Sequence, residues 1–345
     1  ESFEHRGCTV LPCEPSTQEV VGSPQSVAWL VKHLDIDVVV TLHAFHRISY
    51  MADVVREMGI PWIAYQPFEF QIDEADIAQW LDALQVAHIT APSQTVLEWL
   101  RPYLTRYTNC MHFIPHAINL KMWTPFTVSE RKKLRSSAGL QNHFVVGRCD
   151  RNLRHKNYGA LLEAFAKFAE GKDDVVLLIH ADPDDEGGNF MEWASELGIA
   201  DKLIATMPEL LSRGRREGFD KTELATLYNL MDVYASPTMG EGFGMTILEA
   251  MACGIPITVT DYGAMRELAF GCGILIRIKC MEHWERPKGW GAIVDVDALA
   301  EALELLYASP QLREHYARCA MRKAGQYDIS EVSKQWDALL RHIAS

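Results

Sequence analysis

The 345-residue sequence has no C-x-x-C pair: Cys8, Cys13, Cys110, Cys149, Cys253, Cys272, Cys280 and Cys319 are scattered and have no matching histidine spacing. This excludes a structural zinc site built on paired cysteines and reads as a reduced, cytosolic chain. No apolar run is long enough to cross a bilayer and no signal-peptide pattern precedes the first strand, so a cytoplasmic location is expected. Positive charge is in deficit. A net charge of -13 argues against a nucleic-acid partner, because affinity for a phosphate backbone depends on clustered Lys and Arg. Two basic runs remain, "RKKLR" (131–135) and "RGRR" (213–216). They read as solvated faces, with peripheral contact to an anionic membrane surface left open as the alternative. The sequence also lacks an initiating Met. Its opening, "ESFEHRGCTVLP", reads as the end of a helix entering a strand, so an upstream strand and helix are expected to be missing.

What is present is enough apolar material, 48% of residues, for a sizeable core, and the length suits two domains. Apolar β-branched runs alternate with helical patterns, the signature of parallel-sheet α/β architecture. The first half gives strands at "CTVLP", 36–42, 61–65, 88–92 and 111–115, with helices around 25–34, 49–58, 75–84 and 94–103. The second half restarts with strands at 143–148, 175–181, 202–206, 233–237 and 256–260, with helices at 158–170 and 190–197. Two doubly wound units follow, joined by the Pro- and Ser-containing segment 117–143. Ligands of open parallel sheets collect at the carboxyl ends of the strands, so a cleft between the two domains is expected.

The stretch "GEGFGMTILEAMACGIP" (240–256) has the order strand end, glycine loop, helix start. Glycines let a backbone approach a ligand closely, and the unpaired N–H groups of a first helical turn favour a phosphate. The glutamates need another explanation. A carboxylate beside a phosphate is electrostatically unfavourable, so Glu241 and Glu249 read as acceptors for sugar and ribose hydroxyls. Ile247, Leu248, Ala250 and Met251 make the helix around Glu249 largely buried, where an unpaired carboxylate would be costly. Cations come from "VVGRCDRNLRHKN" (145–157), which places Arg148, Arg151, Arg154 and Lys156 after a strand and just before a helix. Arg clamps two phosphate oxygens and Lys supplies a point charge, the composition that a pyrophosphate site requires.

"GEGFGMTILEAMACGIPITVTDYGAMREL" closely resembles the E-x(7)-E region of the retaining, GT-B fold nucleotide-sugar glycosyltransferases of glycosyltransferase family 4, the glycosyl transferases group 1. "RNLRHKN", "IPWIAYQPFE", "HITAPSQTVLEWL", "FIPHAINLKMWTP" and "ELATLYNLMDVYASPT" resemble further segments of that family, in order, from about residue 27 to 270. The resemblance implies two doubly wound Rossmann-like domains facing an interdomain cleft. Residues 1–125 would form the acceptor-side domain and 126–328 the donor domain, with 329–345 packing back on the first.

It also implies that Arg151 and Lys156 neutralise the donor diphosphate, Arg151 being preferred to Arg148 for its spacing to Lys156. Glu249 would hold the ribose and Glu241 the donor sugar, while the backbone N–H groups of Gly242, Phe243, Gly244 and Met245 would line the sugar and phosphates. The implied reaction moves a hexose from a nucleoside diphosphate sugar to a sugar, lipid-linked glycan or protein acceptor, with retention, without a metal and without a further cofactor. A non-catalytic nucleotide-sugar binding module and a nucleotide-sugar epimerase are the alternative readings.

Three departures from the family stand out. Its glycine-rich loop after the first strand is absent, Gln66 replaces its amino-terminal histidine, and "LLIHADPDD" lacks its glycine pair. His43 and His46 lie at another strand end and are candidate contacts in the cleft; on an extended segment their rings need not converge, and no third metal ligand is evident. Trp29, Trp62, Trp80 and Trp99 read as core, whereas Trp284 and Trp290 fall in a loop exposed by context and are candidates for specificity.

Overall fold

A computed structural model of the chain describes residues 3–5, 8–10, 23–43, 45–75, 77–78, 87–104, 110–207, 219–285 and 288–344. The chain divides into two compact units. The first comprises Glu1–Phe68, Ile72–Ile114 and Lys334–Ser345, and the second Glu69–Gln71 and Pro115–Ser333.

In the first unit Phe3–His5 (β1) pairs antiparallel with Cys8–Val10 (β2) in a sheet of their own. This corrects the reading of the opening as a helix end entering a strand of the parallel sheet. Antiparallel neighbours need only a short connection, whereas a parallel partner needs a crossover of a dozen or more residues. The main sheet holds Val39–Leu42 (β3), Trp62–Tyr65 (β4), Ala87–Ala91 (β5) and Met111–Phe113 (β6), parallel and in that order. Trp62, Ile89 and Val96 are sealed in its core, and Trp99 packs against them. Trp29 does not join them. It is 55% exposed on the helix Pro24–His33, stacked on His33 one turn later. Trp80 and the run 213–216 lie outside the described residues. His43 follows β3, but His46 falls within the short helix Phe45–Ile48, so the pair does not share the extended segment expected for it.

The second unit is built on six parallel strands: Phe144–Cys149 (β7), Val175–His180 (β8), Leu203–Ala205 (β11), Val233–Ser236 (β12), Ile257–Thr260 (β13) and Ile274–Ile276 (β14). Between β8 and β11 lies a small antiparallel pair, Asp184–Asp185 (β9) and Gly188–Asn189 (β10). The six-stranded order is β11-β8-β7-β12-β13-β14. Every residue of β7, β12 and β13 is buried, as expected of strands covered on both faces. Successive side chains point to opposite faces: Val145 packs with Tyr228, Ile247 and Met251, and Val146 with Phe165, Leu177 and Leu299. The strand order reverses between β7 and β12, and it is at the carboxyl ends of such a switch point that open parallel sheets bind ligands.

The segment read as an exposed loop with Trp284 and Trp290 is instead an antiparallel hairpin, Ile278–Glu285 (β15) against Lys288–Val294 (β16). Trp290 is 42% exposed, while Trp284 is half-buried with its ring against Phe70. The basic run 131–135 is only partly a solvated face. It lies on the helix Val128–Ser137, where Arg131 and Arg135 both pair with Asp232 and donate to backbone carbonyls of residues 229–231. Lys132 and Lys133 are exposed. Among the described residues no helix is long and apolar enough to cross a membrane.

Candidate functional site

The carboxyl ends of β7 and β12 bring together Arg148, Asp150, Lys156 and Glu241. After β7 the chain passes through Asp150 into a 3-10 turn, Arg154–Lys156, which ends on Asn157 in a left-handed conformation (φ 58°) before the helix Tyr158–Ala169. Asn tolerates that conformation better than most residues, and the turn directs Lys156 inward. Lys156 is 7% exposed; its Nζ is 2.5 Å from Glu241 Oε1 and 3.8 Å from Asp150 Oδ2. Burial alone would drive the ammonium towards its neutral form, but Glu241, Asp150 and Glu69 outweigh this and hold its pKa above the ordinary value.

Arg148 is wholly buried at the end of β7. Its Nη2 donates to Asp150 Oδ2 at 2.9 Å and Thr238 Oγ1 at 2.7 Å, and its guanidinium lies 5.7 and 5.8 Å from the ring centres of Tyr158 and Tyr234. Its contacts are therefore internal. Arg151 has a side chain 59% exposed and donates to Asp185 and Glu186, in the acidic turn that replaces the expected glycine pair. The fold thus assembles Lys156, Glu241, Asp150 and Arg148, and turns the Arg151 side chain towards that acidic turn.

Past β12, the glycine loop opens the helix Met245–Ala252 with Gly244 at φ 98°, a left-handed conformation that favours glycine. Gly242, Phe243 and Gly244 are buried and Met245 is half-buried. The Phe243 ring meets His116 and Tyr327 edge-on. One turn into the helix, Glu249 accepts from the Tyr228 hydroxyl at 3.0 Å. Burial raises its pKa to about 7, against the opposing effects of that hydrogen bond and of Lys221.

The sequence reading missed Glu69 and His155. Glu69–Gln71 belongs to the second unit, held where Trp290 N–H donates to Gln71 O at 3.0 Å. A side chain at Gly240 would place its Cβ 2.2 Å from the Phe70 ring and 2.4 Å from Glu69 O, so glycine is required for this close approach. Glu69 faces the same cluster: burial raises its pKa to about 7, Lys156 lowers it, and Glu241 and Asp150 raise it further. His155 is 4% exposed, with Nε2 3.6 Å from Glu69 Oε2 and without a hydrogen-bond partner. No local pattern identifies Glu69, because its neighbours in space are about 85 and 170 residues away in the sequence. Asp150, by contrast, could have been recognised from its place between Arg148 and Arg151.

In the first unit, Gln66 follows β4 and is fully buried. Its N–H donates to Thr90 O at 2.7 Å, and both side-chain polar atoms lack partners. His43 is half-buried. Among the described residues there is no group of three or more His, Cys, Asp or Glu side chains arranged to hold a metal ion.

Residues 141–309, which carry this site apart from Glu69, match the family model Glycosyl transferases group 1. This segment belongs to that family. Among curated relatives of the chain is the D-inositol 3-phosphate glycosyltransferase of Paenarthrobacter aurescens, 27% identical over 219 residues, or 62% of this chain and 47% of the relative. The protein of that name from Segniliparus rotundus is 24% identical over 308 residues, 87% of this chain and 60% of the relative. The phosphatidyl-myo-inositol mannosyltransferase of Mycobacterium leprae is 30% identical over 181 residues, 52% of this chain and 41% of the relative. The chain therefore spans from less than half to three fifths of the length of these relatives.

Among solved structures, sucrose-phosphate synthase from Thermosynechococcus elongatus superposes with a TM-score of 0.77 at 17% identity, covering 99% of this chain and 85% of that one. Anabaena HepE in complex with UDP gives 0.74 at 18%, covering 92% and 82%. The fold is GT-B.

Proposed function

We propose that the chain transfers a hexose from a nucleoside diphosphate sugar to a hydroxyl acceptor, with retention of configuration and without a metal ion. The observation that carries this reading is the buried Lys156–Glu241 pair at the switch point between β7 and β12, beside the glycine loop. An ammonium sequestered with a carboxylate is a cation held ready for an anionic ligand, which can take it over without first stripping it of bulk water. That HepE binds UDP, and that the curated relatives carry glycosyltransferase and mannosyltransferase names, supports a nucleotide sugar as that ligand.

In this reading the diphosphate enters between Lys156 and the first turn of Met245–Ala252, and Arg151 leaves its acidic turn to join Lys156 on the phosphates. Glu249 accepts from the ribose hydroxyls. As the bond between the anomeric carbon and the phosphate oxygen breaks, the charge that grows on the leaving group falls on Lys156 and the backbone N–H groups, a stabilisation larger in the transition state than in the ground state. Glu241, released from Lys156, stabilises positive charge on the sugar. The acceptor oxygen attacks the face that the diphosphate leaves and gives its proton to a departing phosphate oxygen. The acceptor is a sugar, a lipid-linked glycan or a protein.

The test is to incubate the chain with UDP-, GDP- and ADP-sugars and candidate acceptors, follow release of free nucleoside diphosphate, and read the anomeric configuration of the product by NMR. Acceptor-dependent release, abolished by Lys156→Met, is expected. Binding without release, or sugar isomers formed without acceptor, would overturn the reading.

A further inference from the structure

Three carboxyl groups surround one ammonium in the second unit, and only two have an evident purpose. Asp150 neutralises Arg148 and Glu241 neutralises Lys156. Glu69 adds a third acidic group, brought in by a three-residue segment whose neighbours in sequence belong to the other unit. The segment is closely fitted. Phe70 is 1% exposed, its ring meets those of His155 and Trp284 edge-on, Gly240 and Gly289 leave no room for a side chain beside the segment, and a Cβ at Gly291 would press on the Phe70 ring at 3.0 Å. Substantial packing is thus devoted to holding a carboxyl that the ion pairs do not need.

Beside it lies a second, independent sign of a ligand. The Nε2 of His155 is buried and has no hydrogen-bond partner, and the nearest Glu69 oxygen, at 3.6 Å, is too far to supply one. A polar atom buried without a partner costs about 1–3 kcal/mol, and such atoms tend to mark places where a ligand supplies the missing bond.

A phosphate does not suit this corner, because it would meet Glu69 with like charge. A neutral hydroxyl does, since it donates to one neighbour and accepts from another. We infer that Glu69 and His155 Nε2 together bind a hydroxyl of the transferred sugar, making Glu69 a specificity-determining residue of the donor site in addition to Glu241 and Glu249. This rests on the reading of the site as a nucleotide-sugar site. Both groups suit the task near neutral pH: burial keeps His155 uncharged and brings Glu69 close to half-protonated, so the pair offers a donor and an acceptor at once.

The experiment is calorimetric titration of the whole chain with bare UDP and GDP and with their glucose, galactose, N-acetylglucosamine and mannose conjugates, for the parent, Glu69→Gln and Glu69→Ala. The melting temperature of each variant shows that it is folded. In the parent, the preferred sugar nucleotide is expected to bind more tightly than its bare nucleotide. Glu69→Ala should reduce that affinity roughly 10- to 100-fold, as for loss of a hydrogen bond to a charged group, and change bare-nucleotide affinity less than about threefold. Glu69→Gln, which keeps the shape but not the charge, should fall between and alter the order of preference among the sugars. Equal losses for sugar and bare nucleotides, or unchanged sugar affinity in both variants, would overturn the assignment of Glu69 and leave the nucleotide-sugar site standing. A parent that binds none of these ligands would overturn both.

Discussion

Replacing Lys156 with Met keeps most of the volume and removes the charge, leaving Glu241 without its cation at 2.5 Å. Removing one partner of a buried ion pair typically costs about 3–5 kcal/mol, because the other is left uncompensated. The lower end applies here. Asp150 retains Arg148 at 2.9 Å, and the Glu241 side chain is 12% exposed and can draw partly on solvent. A loss of about 3 kcal/mol in a domain of this size corresponds to a melting temperature lower by roughly 6–12 °C. Glu241→Gln removes the other partner, and the double variant closes a thermodynamic cycle with an expected coupling of about 1–3 kcal/mol.

The same two variants should separate in binding. Lys156→Met should weaken bare nucleoside diphosphate by about 1.5–3 kcal/mol, roughly 10- to 150-fold, by loss of a charge-assisted hydrogen bond. Glu241→Gln should bind it at least as well as the parent, because the carboxylate that competes for the ammonium has gone. Urea unfolding and titration calorimetry on all four proteins provide both readouts. Stabilities that add within about 0.5 kcal/mol, or nucleotide affinity lost equally in both single variants, would refute the account of a cation shared between carboxylate and phosphate.

Gly240→Ala should dislodge the 69–71 segment, because the new methyl would meet the Phe70 ring and Glu69 O at under 2.5 Å; quenching of Trp284 fluorescence by acrylamide should rise, and an unchanged spectrum and melting temperature would count against the fit. His155 is kept neutral chiefly by burial, then by Lys156, with Asp150 partly opposing, so its folded pKa is about 3 against 6.5 when unfolded. The unfolded chain therefore takes up this proton first, and stability should fall as pH drops from about 6.5 towards 3, by up to about 1.4 kcal/mol per pH unit. The raised pKa values of Glu69 and Glu249 slope the other way, so the measurement is the difference between the parent and His155→Gln, which should lose this dependence. Arg151→Ala should leave the melting temperature unchanged, its ion pairs being exposed, yet weaken nucleotide binding; Arg148→Met should lower the melting temperature first, since it strips Asp150 and Thr238 of a fully buried donor. Equal effects on stability would refute the different roles given to the two arginines.

Much of the fold was legible from local patterns. Largely apolar runs such as 144–147 and 233–236 identify strands buried on both faces, and Gly254 marks the end of the helix that carries Glu249. The glycine loop and the lysine ahead of the helix Tyr158–Ala169 gave Glu241 and Lys156, which the structure brings into contact. What remained illegible depends on contacts remote in sequence. Arg148 and Arg151 look alike in a string, but one ends a buried strand and the other meets an acidic turn 34 residues on. Trp29 looked like core because it sits on a helix with an apolar stripe, yet none of that helix is buried. The hairpin 278–294 alternates apolar and polar residues only imperfectly, and Glu69 becomes part of the site through contacts of its segment with Gly240 and with that hairpin.

The assignment of Glu69–Gln71 to the second unit bears on how this molecule can be dissected. A fragment expressed from Pro115 to Ser333 keeps the six parallel strands of the second unit but loses Phe70, the wedge that packs against three glycines and the indole of Trp284. Such a fragment would present a bare apolar slot to water and invite self-association, so failure of an isolated half to behave well would report on the missing tripeptide before it reported on chemistry.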